Sequence, residues 1–116
     1  VDIALDTFPF NGATTTFQSL WMGVPVITLA GGSFTSRAAG SILYHSGLDD
    51  LIVDTPEDYI ACARALASDG IRLGKLRSSL REQIIRSPLC DASAYALTVE
   101  TAYREMWQTW CEKFLK

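Results

Sequence analysis

The sequence lacks the features that mark several large classes of protein. Its 10 lysines and arginines are outnumbered by 13 acidic residues, and no basic run occurs. Proteins that bind nucleic acid by charge usually carry a concentrated positive surface, so we expect no nucleic-acid partner. No apolar run approaches the roughly 18 residues that cross a bilayer, so we expect no membrane partner either.

Cysteine and histidine are scarce, which argues against disulfide-rich and metal-centred folds. Cys62, Cys90 and Cys111 are odd in number and far apart, which fits neither a disulfide framework nor a zinc motif. We therefore expect buried thiols in a reducing, cytoplasmic compartment. The single histidine, His45, falls late in a predicted helix, where a structural role is favoured.

The chain shows no signal peptide and no initiator methionine, and it begins inside a predicted strand. We expect residues 1–116 to be a single-domain fragment of a longer protein. Strands are predicted at residues 1–6, 24–30 and 50–54, and helices at 14–23, 36–46, 55–68, 69–86 and 91–116. This alternation predicts an α/β fold, a partial doubly wound parallel sheet followed by C-terminal helices. Three strands are few for such a sheet, so at least one edge should be exposed.

Two glycine-bearing turns, Asn11–Thr16 and Gly31–Ser36, each connect a predicted strand to a predicted helix. In a parallel sheet such turns lie at the carboxyl edge, and the helix N-termini that follow favour anions. Gly12 would let the backbone approach a ligand, and Thr14 and Thr15 offer hydroxyl groups. The alternative is that the threonines only cap the helix. The residues alone leave both open, while the lack of a Walker lysine and of GxGxxG disfavours the common nucleotide motifs.

Two charged residues border these turns. Asp6 ends the first predicted strand, and we expect it to order the following loop rather than to act in catalysis. Arg37 begins the second predicted helix at the same sheet edge. It could bind a phosphate bidentately, or pair with Asp6 or Asp54, and the ion pair is favoured.

The last predicted helix is rich in aromatic residues at helical spacing. Tyr95, Met106, Trp107, Trp110 and Phe114 suggest a packing face. Part of that face could be exposed in a fragment, so we expect possible self-association through this helix or through the open sheet edge.

The order of short motifs resembles the O-linked N-acetylglucosamine transferase and SPINDLY family, glycosyltransferase family 41. The matching stretches are LDT at 5–7, NG at 11–12, TT at 14–15, LW at 20–21, GVP at 23–25, SR at 36–37, SPL at 87–89 and MW at 106–107. Each motif is weak alone, but their ordered sum covers nearly the whole chain. Enzymes of this family carry a tetratricopeptide array before two Rossmann domains. The resemblance implies the C-terminal half of the second Rossmann domain of a GT-B glycosyltransferase.

The resemblance also implies a role in a UDP-N-acetylglucosamine donor site of a protein O-glycosyltransferase. It assigns the donor diphosphate to Thr14 and Thr15. Gly12 joins this diphosphate site as the residue that lets the backbone approach, and Arg37 is a possible further phosphate contact because of its place at the same sheet edge. The resemblance places Asn11, Ala13 and Gln18 at or near the ribose. It implies no metal and no other cofactor, no catalytic residue in this chain, and a protein acceptor bound by the rest of the parent enzyme.

Two positions differ from the family pattern. Gln18 stands where an acidic residue usually holds the ribose, and Ala13 stands where animal enzymes often have histidine. The second difference favours a bacterial origin. Two alternatives stay open at this point: a related transferase with another donor such as UDP-glucose, and a non-catalytic α/β interaction domain in which the threonines only cap a helix.

Overall fold

The computed structural model describes residues 1–114 and confirms the α/β class. Three short strands form one sheet in the order β1-β2-β3, with both pairings parallel. The strands are β1 (Ala4–Leu5), β2 (Val26–Leu29) and β3 (Ile52–Val53). The helices are α1 (Thr14–Trp21), α2 (Ala38–His45), α3 (Pro56–Ser68), α4 (Gly70–Arg86) and α5 (Ala92–Phe114), with 3-10 turns at Asp49–Leu51 and Pro88–Cys90.

All three strands are shorter than the sequence predicts. Each predicted segment includes apolar residues that are not hydrogen-bonded to a neighbouring strand. This is because an apolar pattern indicates burial and not the hydrogen bonds between strands. At the third strand, Asp50 belongs to the 3-10 turn Asp49–Leu51 and not to the sheet. The outer strand β1 leaves Leu5 57% exposed, in line with the expected open sheet edge.

Three predicted helix starts are confirmed by side-chain caps. The Thr55 hydroxyl accepts the Asp58 N–H at 3.1 Å, and the Asp69 carboxylate accepts the Arg72 N–H at 2.9 Å. Asp91 does the same for the first turn of α5. Each cap satisfies an N–H group that the helix leaves without an internal partner. The predicted end of α5 at Lys116 lies outside the described residues.

The core lies on both faces of the central strand. Its largest fully buried side chains are Leu20, Ile27, Leu43, Leu51, Leu66, Leu80 and Ile84. Helices α1, α2 and α3 contact β2, while α4 packs against α1 and α3. Burial of each such side chain stabilises the fold by about 1.5–3 kcal/mol. This core fixes the positions of β1, β2 and α1, which carry the candidate site.

Helix α5 stands away from this core. None of its residues is buried, and its contacts are chiefly with the preceding 3-10 turn. The described chain is therefore long, with extents of 64 × 29 × 18 Å. The predicted apolar face is an exposed stripe, as expected for part of it, and Trp107 and Trp110 stack on it with ring centroids 5.3 Å apart. Helical spacing predicts an apolar face but does not say what covers it.

The prediction of buried thiols is wrong. Cys90 is exposed, Cys62 and Cys111 are half-buried, and all three are free. Burial raises the pKa of the Cys62 thiol above its ordinary value. The nearby Arg72 charge acts in the opposite direction, and the Asp50 charge raises the pKa further, so the net direction is upward. Within residues 1–114, no helix has both the length and the apolar character needed to cross a membrane.

Candidate functional site

The two glycine-bearing turns lie side by side at the carboxyl edge of the sheet. The Asn11 N–H donates to the Thr35 carbonyl at 2.9 Å, which joins the loop after β1 to the loop after β2. This adjacency follows from the parallel pairing of β1 with β2, since both strands then end at the same edge. The sequence prediction that both turns share one edge is confirmed.

The first turn of α1 has no side-chain cap. The N-cap residue is Ala13, whose methyl group cannot accept a hydrogen bond, and Thr14 is already the first helical residue. The first hydrogen bond of the helix runs from the Phe17 N–H to the Ala13 carbonyl at 3.0 Å. The N–H groups of Thr14, Thr15 and Thr16 come before it and therefore have no partner inside the helix. The alternative in which the threonines serve as the helix cap is therefore wrong.

The hydroxyl groups of this turn differ in exposure. Thr14 and Thr15 are exposed, whereas Thr16 is buried. Exposed hydroxyls beside uncapped N–H groups, at the positive end of a helix dipole, form an arrangement that can bind an anion. This role is predicted for Thr14 and Thr15, and the fold leaves both side chains accessible.

Asp6 orders the loop, as predicted. Its carboxylate is 7% exposed and accepts two short hydrogen bonds, from the Gly12 N–H at 2.7 Å and from the Thr28 hydroxyl at 2.6 Å. One oxygen therefore holds the turn before α1, and the other contacts the central strand. Hydrogen bonds to an ionised carboxylate are roughly twice as strong as neutral ones, so this contact fixes the turn firmly.

Gly12 is closely packed, so a larger side chain at this position would force neighbouring atoms to move. A Cβ atom at this position would lie 2.6 Å from the Thr15 hydroxyl oxygen and 2.8 Å from that of Thr16. It would also lie 3.1 Å from the Asp6 carboxylate. The glycine thus brings the loop backbone against the hydroxyl groups of the first turn of α1.

Tyr59 supports the same loop from α3. Its hydroxyl donates to the Asp6 carbonyl at 2.7 Å, and its ring meets the Phe8 ring edge-on with centroids 5.7 Å apart. Phe8 precedes the cis peptide bond to Pro9. Burial, and then the nearby Asp6 charge, raise the pKa of Tyr59. This role of Tyr59 leaves no local signal in the sequence, because the contact spans 53 positions.

The three residues expected near a ribose occupy different environments. Asn11 is 2% exposed and its side-chain amide donates to the Thr7 carbonyl at 2.9 Å, a contact within the loop between β1 and α1. Its Oδ1 atom is buried without a partner among residues 1–114. Ala13 and Gln18 are exposed. Gln18 lies one turn after Thr14 on the same side of α1, where it can reach a group bound at the helix start.

Arg37 is at the N-cap position of α2 and is exposed. It lines an open cavity of about 420 Å³ together with Tyr44, His45 and Asp54. Thr15 and Asp6 line a separate cavity of about 160 Å³ beside β1. The favoured ion pair of Arg37 with Asp6 or Asp54 is wrong, because Asp6 binds other donors and Arg37 makes none of the ion pairs found within residues 1–114.

The chemistry of the site consists of hydroxyl groups, backbone N–H groups and a helix dipole. Across the described part of the chain, no three His, Cys, Asp or Glu side chains are arranged to hold a metal ion. His45 lies away from the first turn of α1, with its Nδ1 atom 2.8 Å from the Ser41 carbonyl oxygen. The turn is therefore equipped to bind and stabilise negative charge.

The family model described as Glycosyl transferase family 41 matches residues 1–99. The chain belongs to glycosyltransferase family 41. The probable UDP-N-acetylglucosamine–peptide N-acetylglucosaminyltransferase SPINDLY of Hordeum vulgare is 46% identical over 112 residues, which are 97% of this chain. The UDP-N-acetylglucosamine–peptide N-acetylglucosaminyltransferase of Caenorhabditis elegans is 34% identical over 107 residues, or 92% of this chain.

A solved O-GlcNAc transferase structure has the same fold. An O-GlcNAc transferase mutant of Thermobaculum terrenum matches with a TM-score of 0.90 and 41% identity over 97% of this chain. The chain spans 12% of the length of the Hordeum vulgare relative, 9% of the Caenorhabditis elegans relative and 22% of the solved chain. The family expected from the motif order is confirmed, while the bacterial origin expected from Ala13 stays a prediction.

Proposed function

We propose that this chain forms the diphosphate-binding part of a UDP-sugar donor site in a longer protein O-glycosyltransferase. The observation that carries the proposal is the uncapped first turn of α1, with exposed Thr14 and Thr15 at the carboxyl edge of the sheet. UDP-N-acetylglucosamine is the proposed donor and a protein hydroxyl the proposed acceptor, because the names of the family 41 relatives state a UDP-N-acetylglucosamine donor and a peptide acceptor. In this proposal residues 1–116 are one portion of the donor-binding domain.

The proposed chemistry is a direct displacement at the anomeric carbon. The oxygen of an acceptor serine or threonine forms the new bond to that carbon, the bond to the UDP oxygen breaks, and configuration inverts. Negative charge then develops on the departing diphosphate. The N–H groups and hydroxyls at the start of α1 stabilise that charge in the way an oxyanion hole does. The base that takes the acceptor proton lies outside this chain.

Five of the candidate site residues have a direct part in this scheme. The hydroxyls of Thr14 and Thr15 donate hydrogen bonds to phosphate oxygens. Gly12 keeps the loop backbone close to the hydroxyl of Thr15. Gln18 hydrogen-bonds the ribose as a neutral group, and Arg37 supplies a further phosphate contact. Because hydroxyls and N–H groups carry the electrostatic role, the scheme uses no metal and no other cofactor. The enzyme is proposed to act in the cytoplasm.

The test is a comparison of UDP with uridine as ligands of the full-length transferase. Thr15→Val removes a hydroxyl at nearly constant volume, and Thr98→Val is the matched control, since the exposed Thr98 hydroxyl bonds only its own helix, to the Ala94 carbonyl at 2.9 Å. We expect UDP to bind more tightly than uridine, Thr15→Val to weaken UDP by about tenfold, and Thr98→Val to change nothing. Equal affinity for UDP and uridine would sink the donor-site proposal.

The same assay distinguishes two alternatives. The exposed aromatic stripe of α5 favours a non-catalytic interaction domain as the second candidate, and that function predicts no preference for UDP in any form of the protein. Competition between UDP-N-acetylglucosamine and UDP-glucose identifies the sugar. Tighter binding of UDP-glucose would replace the proposed donor while leaving the diphosphate site in place.

A further inference from the structure

We propose that Asp6 and Thr28 are a positioning pair that holds the first turn of α1 open for a phosphate group. The inference rests on the proposed donor site and adds to it two residues that would not themselves touch the donor. Asp6 directly follows the last residue of β1, and Thr28 lies within β2. Neither strand belongs to the turn that they would position.

The hydrogen bonds connect sheet and turn through one carboxylate. Thr28 is fully buried and its hydroxyl donates to one Asp6 oxygen at 2.6 Å. The other Asp6 oxygen accepts the Gly12 N–H at 2.7 Å. Since Thr28 is buried in the central strand, its contact fixes the direction of the carboxylate. The carboxylate in turn fixes the position of the Gly12 backbone relative to the sheet.

Gly12 passes this position on to the ligand groups. A Cβ atom added to it would lie 2.6 Å from the Thr15 hydroxyl oxygen and 2.8 Å from the Thr16 hydroxyl oxygen, so the turn packs closely against both hydroxyls. A shift of Gly12 therefore shifts the hydroxyl of Thr15 relative to the N–H groups beside it. Near-optimal geometry matters for such a site, because hydrogen bonds weaken steeply with distance and angle.

This arrangement solves a problem that an ordinary cap would create. A Ser, Thr or Asp at the N-cap accepts the N–H group of the second or third helical residue and so occupies a group that a phosphate needs. Here the N-cap is Ala13, and Asp6 accepts the N–H of Gly12, which lies before the helix. The turn is held in place while the N–H groups of the helix stay available.

A positioning role and a charge role predict opposite results for Asp6→Asn. Asparagine still offers an oxygen to the Gly12 N–H, and the Thr28 hydroxyl can reverse to accept from the new amide. If the position of the turn is what matters, Asp6→Asn retains UDP affinity. That affinity can also increase, because the removed negative charge no longer repels the phosphate. Asp6→Ala removes both contacts and loses the geometry.

The experiment measures dissociation constants of UDP and uridine by calorimetry on the full-length transferase. For Asp6→Ala we expect UDP to bind about tenfold more weakly with uridine unchanged, and for Asp6→Asn we expect UDP affinity within about threefold of wild type. Thr28→Val should weaken UDP in the same direction as Asp6→Ala, and it replaces that variant if Asp6→Ala does not fold. Asp49→Asn, at an exposed acid in the 3-10 turn before β3, is the control.

Each outcome decides the proposal. Unchanged UDP affinity in folded Asp6→Ala, or in Thr28→Val if that variant replaces it, overturns the positioning role. Equal weakening of UDP and uridine also overturns it, because a general loosening of the domain would act on both ligands. If wild-type protein binds UDP no better than uridine, the donor-site proposal itself fails and this inference fails with it. A loss in Asp6→Asn as large as in Asp6→Ala also overturns the positioning role, because asparagine can keep both hydrogen bonds and the ionised carboxylate itself would then be what the site needs.

Discussion

The sharpest test of the site geometry is Gly12→Ala. The added Cβ atom would lie 2.6 Å from the Thr15 hydroxyl oxygen and 2.8 Å from the Thr16 hydroxyl oxygen, well inside normal contact distance. Thr15 is exposed and can rotate, at a cost of about 0.5–1.5 kcal/mol if it leaves a preferred rotamer. Thr16 is 3% exposed, so the surrounding structure must move with it. Overpacking of this kind costs about 1–3 kcal/mol.

The matched control is Gly32→Ala, in the neighbouring loop. A Cβ atom there would meet nothing within 4 Å, so its free energy of unfolding should stay within about 0.5 kcal/mol of wild type. Urea denaturation followed by tryptophan fluorescence measures both variants. Amide shifts of Thr14 and Thr15 report whether the turn itself has moved. If Gly12→Ala is as stable as Gly32→Ala and leaves these shifts unchanged, the close packing described for the turn is refuted.

Three further predictions address the core, the loop support and the terminal helix. Leu20→Ala should lower the free energy of unfolding by about 2–5 kcal/mol, because Leu20 is fully buried. Met22→Ala, at a side chain that is 68% exposed, should change it by under about 0.5 kcal/mol. Equal effects of the two variants in urea denaturation would contradict the described core. The phenol of Tyr59 should ionise above its ordinary pKa of 10.0, so the stability that its hydrogen bond contributes is present below that pH and is lost as the pH rises through the raised pKa. The difference in phenolate absorbance between wild type and Tyr59→Phe measures this pKa, and a midpoint at or below 10.0 would refute the prediction. We expect the chain to self-associate at high concentration through α5, because the Trp107 and Trp110 rings are exposed. The double change Trp107→Gln with Trp110→Gln should abolish this association in sedimentation velocity. Unchanged sedimentation would exclude these two rings as the contact surface.

Local signals in the sequence predicted the elements that depend on local physics. Thr55, Asp69 and Asp91 cap the helices that follow them, because a cap needs only a short polar side chain and the next turn of backbone. Strand–helix alternation likewise predicted a parallel sheet with its loops at one edge. The same reasoning allowed the threonines to cap α1, and it was wrong there because the helix begins at Thr14 itself.

Errors arose where the result depends on distant residues. Arg37 and Asp54 line one cavity without forming the expected ion pair, since side-chain direction is not encoded in spacing. The exposed face of α5 has the periodicity of a packed helix, because the pattern is the same whether or not a partner covers it. Cysteine type alone suggested burial that the fold does not provide.

By itself the sequence determined the fold class, the family and the turn that carries Thr14 and Thr15, because all three follow from motif order and local backbone preference. Only the tertiary structure decided how that turn is held. The contacts of Asp6 with Gly12 and Thr28, and of Tyr59 with the Asp6 carbonyl, span 6, 22 and 53 positions. Contacts between such distant residues exist only once the chain has folded, when packing brings their partners within hydrogen-bond distance.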